Sequence, residues 1–157
     1  MIAYYEFTTD LRDFLQNDED INSVNIGGID ETDIDKLTVF PYADILITNA
    51  EFISGESIVR FDVEVAVMDL VDHRMDNEDV LPADERWKEQ DNSQDILNTM
   101  LSVIERLVKH INKGTGSDNA YQLVTHSSQP FELKHENLLT GWVASMTIDI
   151  PNNIQNC

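Results

Sequence analysis

Carboxylates are the side chains most able to do chemistry in this chain. Asp30, Asp33 and Asp35 lie close together, a density that could hold Ca²⁺ or Mg²⁺. An EF-hand loop needs oxygen ligands at its first, third and fifth positions and glycine at its sixth. Counted from Asp30, the third, fifth and sixth places hold Thr32, Ile34 and Asp35, so the stretch reads as a solvated acidic loop. Asp72, His73, Arg74 and Asp76 put a proton-sharing pair beside a cation. Where a strand runs into a loop, an Asp–Arg pair closing the strand end is the simpler use of these residues. His126 and His135, with Glu132 and Glu136, are metal-type donors, yet nothing in their spacing fixes a geometry, and strand-edge histidines are expected. Gly55-Glu56-Ser57 lacks the glycines on both sides of serine that a nucleophile elbow requires. Gly27-Gly28 is followed by acids rather than by the Lys-Ser/Thr of a phosphate loop. No catalytic, cofactor-binding or metal-ligating residue is therefore expected. Trp142, in phase with an apolar strand face, reads as core; Trp87, in a charged loop, is the better interface anchor.

The elements that must position these residues follow from hydrophobic period. Tyr4, Phe7, Leu11, Phe14 and Leu15 recur at helical spacing and predict a helix over Ile2 to Gln16, with acids at its C-terminal end that oppose its dipole and favour fraying. Ile21 to Ile26 reads as a short strand broken by Gly27-Gly28, and Phe40-Pro41 punctuates the acidic stretch that follows. Ala43 to Ile53, the turn Ser54–Ser57 and Ile58 to Val71 predict a long antiparallel hairpin. In its second strand Val59, Phe61, Val63, Val65 and Val67 face one way and Arg60, Asp62 and Glu64 the other. Asp72 to Asp91 is a polar excursion. Asn92 opens the best helix, with the stripe Ile96, Met100, Ile104, Leu107, Val108 and Ile111, closed by Gly114. Tyr121 to His126 and Phe131 to His135 read as two short strands separated by Ser127, Ser128 and Pro130. A last strand runs from Gly141 to Ile150, with Pro151 ending it and a polar tail over 150–157. The order predicts one α+β domain over 1–157: a mostly antiparallel sheet with a long hairpin and two helices packed on one face.

Charge narrows the function. Thirty Asp and Glu stand against ten Lys and Arg in 157 residues, a formal net charge of -20. Such a chain lacks the cations that displace counterions from phosphate, which excludes an ordinary nucleic-acid-binding domain and argues against adhesion to an anionic membrane. The single cysteine, Cys157, excludes an internal disulfide and a Cys-based zinc site. The opening MIAYYEFTTDLRDFL has no basic region and does not read as a signal peptide, and no apolar run approaches the length of a membrane span, so the expectation is a chain made in a cytoplasm that stays there or leaves inside something larger. Acids concentrate in 6–35 and 69–95, beyond what solubility requires, which suggests repulsion of phosphate or docking on a basic partner.

Three stretches carry a resemblance: FDVEVAVMDLVDHRMDNE, DNSQDILNTMLSVIERLV and ENLLTGWVASMTIDIPNNIQNC. Over roughly residues 40–157 they resemble proteins of the structural gene blocks of tailed bacteriophages of the crAss-like type, similar to tail terminator or tail-completion proteins. Gly141-Trp142 on a strand that ends in Ile-Pro-Asn is the most recognisable part. The resemblance implies an α+β subunit in a cyclic homo-oligomer, a hexamer or dodecamer, in the neck or tail of the virion. Its partners would be copies of itself and the neighbouring portal, connector and tail proteins. Genomic DNA would pass through without specific binding, and no cofactor or membrane is implied. The interface candidates are the hairpin turn Ser54, Gly55, Glu56 and Ser57, the loop residue Trp87, and Pro151 and Asn152 at the end of the closing strand. The competing readings are a small acidic regulator that mimics DNA on a basic host protein, and a hydrolase using Asp and Glu around a metal.

Overall fold

A computed structural model describes residues 2–27, 39–71, 93–113, 121–133 and 139–151. In chain order these form α1 (Ile2–Gln16), β1 (Ser23–Ile26), β2 (Tyr42–Ile53), β3 (Ile58–Leu70), α2 (Ser93–Lys113), β4 (Gln122–Leu133) and β5 (Leu139–Pro151). The strands make one sheet in the order β1-β2-β3-β5-β4; β1 runs parallel to β2 and every other pairing is antiparallel. Both helices pack on the same face, α1 on β1 and β2, α2 on β5, β3 and β4. The chain is thus α+β, with the expected long hairpin.

The central strand explains the layering. Val59, Phe61, Val63, Val65 and Val67 are all buried and face the helices, each opposite Ile150, Ile148, Met146, Ala144 and Trp142 of β5 in turn. From α1, Phe7, Leu11 and Leu15 enter this core; from α2, Ile96, Met100, Val103, Ile104, Leu107 and Ile111 do. Burial of a large aliphatic side chain contributes ~1.5–3 kcal/mol before entropy, so the α2 stripe is a major share of what orders the domain. Phe7 stacks on Phe61 with centroids 5.7 Å apart and meets Tyr121 edge-on at 5.5 Å, which joins α1 to the sheet.

The opposite face is not uniformly wet. Arg60, Asp62 and Glu64 point outward as the alternation predicts, but Ala66 and Met68, next in phase, are buried with Tyr42 and Leu139 in a second apolar cluster edged by Phe40, Phe131 and Val143. The sheet is therefore apolar on both faces near Met68 and polar on its outer face toward the hairpin turn.

Three expectations are corrected. Tyr121 to His126 and Phe131 to His135 are not two strands with a turn between them: β4 is continuous from Gln122 to Leu133. Pro130 sits within it opposite Trp142, on the last strand in the sheet order, where a missing N–H is tolerated because no second described strand needs it. The last strand begins at Leu139, two residues before Gly141. The end of α1 is tied down: Asn17 caps the Asp13 carbonyl through its side-chain amide at 2.8 Å, and Asp18 is held by α2.

Gly141 lies opposite Met68, and a Cβ there would stand 2.0 Å from the Val67 carbonyl oxygen and 2.8 Å from the Met68 Cα. Both neighbours are backbone and cannot turn aside. Gly141→Ala should destabilise the domain by ~3 kcal/mol or more, read as a drop in the chemical-denaturation midpoint with an unchanged slope. Val63→Asp should abolish cooperative unfolding because it leaves a charge without a partner in the core, whereas Glu64→Lys, on the exposed side of the same strand, should melt close to wild type.

Candidate functional site

The turn of the distal hairpin is exposed throughout, from Ser54 to Ser57. Ile53 accepts a backbone hydrogen bond from Glu56 N–H at 3.2 Å, and Gly55 takes φ 87°, a left-handed conformation that suits glycine, so the chain reverses within four exposed residues. The register between β2 and β3 shifts between Ile47 and Asn49, which makes Thr48 an extra residue. Beyond this bulge Asn49, Glu51 and Ile53 face outward and Ala50 and Phe52 face the helix side, yet Phe52 remains 63% exposed. Helix α1 adds Tyr5, 71% exposed, and Tyr4, 44% exposed and 6.0 Å from the Phe61 ring.

On the outer face the same region is acidic and hydroxylated. A 340 Å³ hollow is lined by Thr48, Asp62, Glu64, Thr125, Ser127, Ser145 and Thr147, among others. Asp62 accepts hydrogen bonds from Thr147 Oγ1 at 2.8 Å and Asn49 Nδ2 at 3.3 Å. Arg60 donates through Nε and Nη2 to the two oxygens of Asp149 at 2.7 and 2.8 Å. That bidentate bond raises the Arg60 guanidinium pKa from its ordinary value. Asp149, Glu51 and Asp62 all act on this one cation.

At the other end, a 310 Å³ cleft lies between the turn after α1, the end of β3 and the start of α2. Its lining includes Glu19, Asp20, Asp69 and Asp95, so the two acid-rich segments of the sequence meet there. Burial pushes the Asp69 carboxyl up, partly offset by a hydrogen bond from Leu70 N–H. Beside the cleft, Arg106 donates to Asp18 through Nε at 2.8 Å and Nη2 at 2.7 Å, and to Asp20 at 2.7 Å. The Asp18 side chain is only 4% exposed. Burial works against its charge, but the hydrogen bonds from Arg106 and from Asp20 N–H, with the Arg106 charge, hold its pKa below the ordinary carboxylate value. Further along, His110 lies 3.2 Å from Asp10 and stacks on Phe14 at 4.2 Å, a second polar tie between the helices.

Of the candidates named from sequence, Ser54, Gly55, Glu56 and Ser57 form the exposed turn, and Pro151 pairs with Ile58 at the base of that turn, also exposed. The structure therefore brings these five together. Trp142 packs against the core and its Nε1–H donates to the Leu97 carbonyl at 2.8 Å, locking β5 to α2. His126 is exposed on β4. Trp87, Asn152, Asp30, Asp33, Asp35, Asp72, His73, Arg74, Asp76, His135, Glu136 and Gly28 lie outside the described residues. Among the described residues, no three His, Cys, Asp or Glu side chains are grouped to hold a metal ion, and no helix is long and apolar enough to cross a membrane. Sequence reasoning missed Tyr4, Tyr5 and Phe52 as exposed aromatics: helical phase assigns Tyr4 to the core, and Phe52 sits on the strand face that is elsewhere buried. It also missed Arg106, whose only signal was a cation within an apolar helix.

Compared with known proteins, the chain matches no family model and none of the curated proteins.

The Arg106 clamp has a pH signature. A carboxylate whose folded pKa is depressed stabilises the fold above its unfolded value and loses that contribution as pH falls through its folded value. Arg106→Gln should cost ~2 kcal/mol at neutral pH, because Asp18 is left buried without its cation. The gap between variant and wild type should shrink as pH falls below the ordinary carboxylate range and Asp18 protonates, in denaturation curves collected across the acid range.

Proposed function

We propose that this chain is a structural virion protein of a tailed bacteriophage, a subunit of a ring in the neck or tail that surrounds the DNA channel and joins the head-side connector to the tail. The observation that carries the reading is the distal hairpin: an exposed turn, flanked by exposed aromatics, that extends a well-packed α+β body. A ring is built from head-to-tail contacts that close by rotation, and a protruding hairpin is a means of reaching a neighbour. The resemblance of the segments around Gly141-Trp142 to tail terminator proteins supports the same reading, and the close backbone approach at Gly141 gives that motif a physical reason. The acid excess fits a lumen along which a phosphate backbone slides without being held.

A second reading, an acidic regulator on a basic host protein, is favoured by the use made of the cations. Arg12, Arg60, Arg106 and Lys109, four of the five Lys and Arg among the described residues, are each engaged by a carboxylate of the same chain, so they offer little to an acidic surface while the large excess of carboxylates sets the sign of the outward field.

Self-repulsion opposes a ring of such subunits, and salt relieves it, since the screening length falls from ~10 Å at 0.1 M to ~3 Å at 1 M. Native mass measurements should therefore show mainly monomer at low salt and larger closed species at high salt, visible as rings by electron microscopy. Removing Ser54–Ser57 should weaken that association while leaving the melting curve cooperative. A protein that stays monomeric at all salt concentrations and binds a basic host protein tightly favours the second reading. Saturable retention of DNA in a low-salt mobility-shift assay overturns the channel reading.

A further inference from the structure

The parallel pairing of β1 with β2 covers only Tyr42–Ile45. Gly27 N–H makes the last described contact, to the Ile45 carbonyl at 3.0 Å, with Gly27 at φ 139°. Beyond that point β2 pairs with β3 alone among the described residues, so no described strand takes up the backbone N–H and C=O groups on the other edge of Asn49–Ile53. The two sides of this edge differ. On the helix side stand Phe52, exposed at 63%, and Tyr4 above the neighbouring Ala50–Phe61 row. On the outer side stand Glu51 and the acidic row Asp62, Glu64 and Asp149, with Arg60 already engaged by Asp149.

We propose that this open edge of the hairpin binds an extended segment of a partner protein in which apolar side chains alternate with Lys or Arg. Added strands gain affinity from main-chain hydrogen bonds and specificity from alternate side chains. An incoming strand would lay its apolar side chains beside Phe52 and Tyr4 and its basic ones beside Glu51. A second copy of this chain does not offer that pattern. Its other long margin, β4, contains no Lys or Arg, carries Pro130, and shifts register between Leu123 and Thr125. The proposal goes beyond the ring reading, because it concerns a different protein and a different contact.

The probe is a short synthetic peptide in which Val and Lys alternate, titrated by fluorescence anisotropy into the wild-type protein at low salt, in the fraction that native mass measurement identifies as monomer. A peptide of the same composition with its lysines in one block has the same charge without the alternation, and an alternating peptide N-methylated at every second residue cannot pair as a strand. We expect saturable binding of the alternating peptide and at least about tenfold weaker binding of both controls. The double substitution Glu51→Lys, Phe52→Ser should weaken it by a similar factor while the melting curve stays cooperative. In the wild type, the peptide should slow hydrogen exchange at the amides of Asn49–Ile53, which decides the matter even if the double variant folds poorly. Equal binding of the alternating and block peptides, or protection confined to other strands, overturns the proposal. So does self-association that the double substitution abolishes while peptide binding persists, since the edge would then serve a second copy. Peptide binding is read on the monomer, so its failure leaves the ring test standing, and failure to form a ring leaves this one standing.

Discussion

Val59, Phe61, Val63, Val65 and Val67 share one face of β3, and the other elements take their places from that face. A strand flanked on both sides has its backbone satisfied by β2 and β5, so its remaining demand is for apolar cover. The two helices supply it from the same side because both have one apolar stripe and neither has two. Once α1 lies on the β1–β2 side and α2 on the β5–β4 side, their facing surfaces are close, and the polar residues left there must find partners. Arg106 with Asp18 and Asp20, and His110 with Asp10, are those partnerships. They fix the mutual register of the helices more than they drive folding, since much of the attraction between buried charges is spent on desolvation.

The same constraint explains where the molecule is exposed. The larger apolar cluster runs along the helix side of β3 from Val59 to Val67, whereas the smaller one lies on the outer face only near Met68, where Ala66 and Met68 interrupt the acidic alternation of β3. Toward the turn the outer face is Arg60, Asp62, Glu64 and Asp149, and β1 no longer flanks β2. A strand half outside the body has fewer buried contacts to hold it, and it opens at lower cost than the core. The hairpin stays ordered because β3 and β5 pair through Ile58 and Pro151, carrying the core's register to the turn itself.

Much of this was legible in the sequence, for definable reasons. Strict alternation over Val59–Val67 and the helical stripe of Ile96–Ile111 are local signals, and both elements fall where those signals put them. Signals that depend on position in the sheet were not legible. Pro130 reads locally as a break, and only the place of β4 at the margin makes it harmless. The parallel partnership of β1 depends on a connection that no pattern specifies. Gly141 is visible as a glycine, but its need for a bare Cα arises from the carbonyl of Val67, far away in the chain. At the candidate site, the turn Ser54–Ser57 was legible from its composition, whereas the exposure of Phe52 and Tyr4 follows from where β1 stops.

Charge and exposure together shape what the hairpin can contact. Four of the described cations are held by carboxylates of their own chain, two of them, Arg60 and Arg106, by bidentate geometry. Bidentate pairs are hard to exchange, because a competing carboxylate must displace two hydrogen bonds at once. Another copy therefore meets a surface whose positive charge is already committed, and like-signed surfaces associate only through apolar contact or backbone pairing with the repulsion screened. A basic partner faces the opposite balance: Glu51 and its acidic neighbours attract it, and the exposed rings of Phe52, Tyr4 and Tyr5 give its apolar side chains cover. The two contacts proposed for the hairpin use different parts of it, the turn for copies of the chain and the strand edge for a protein of opposite charge, so neither proposal excludes the other.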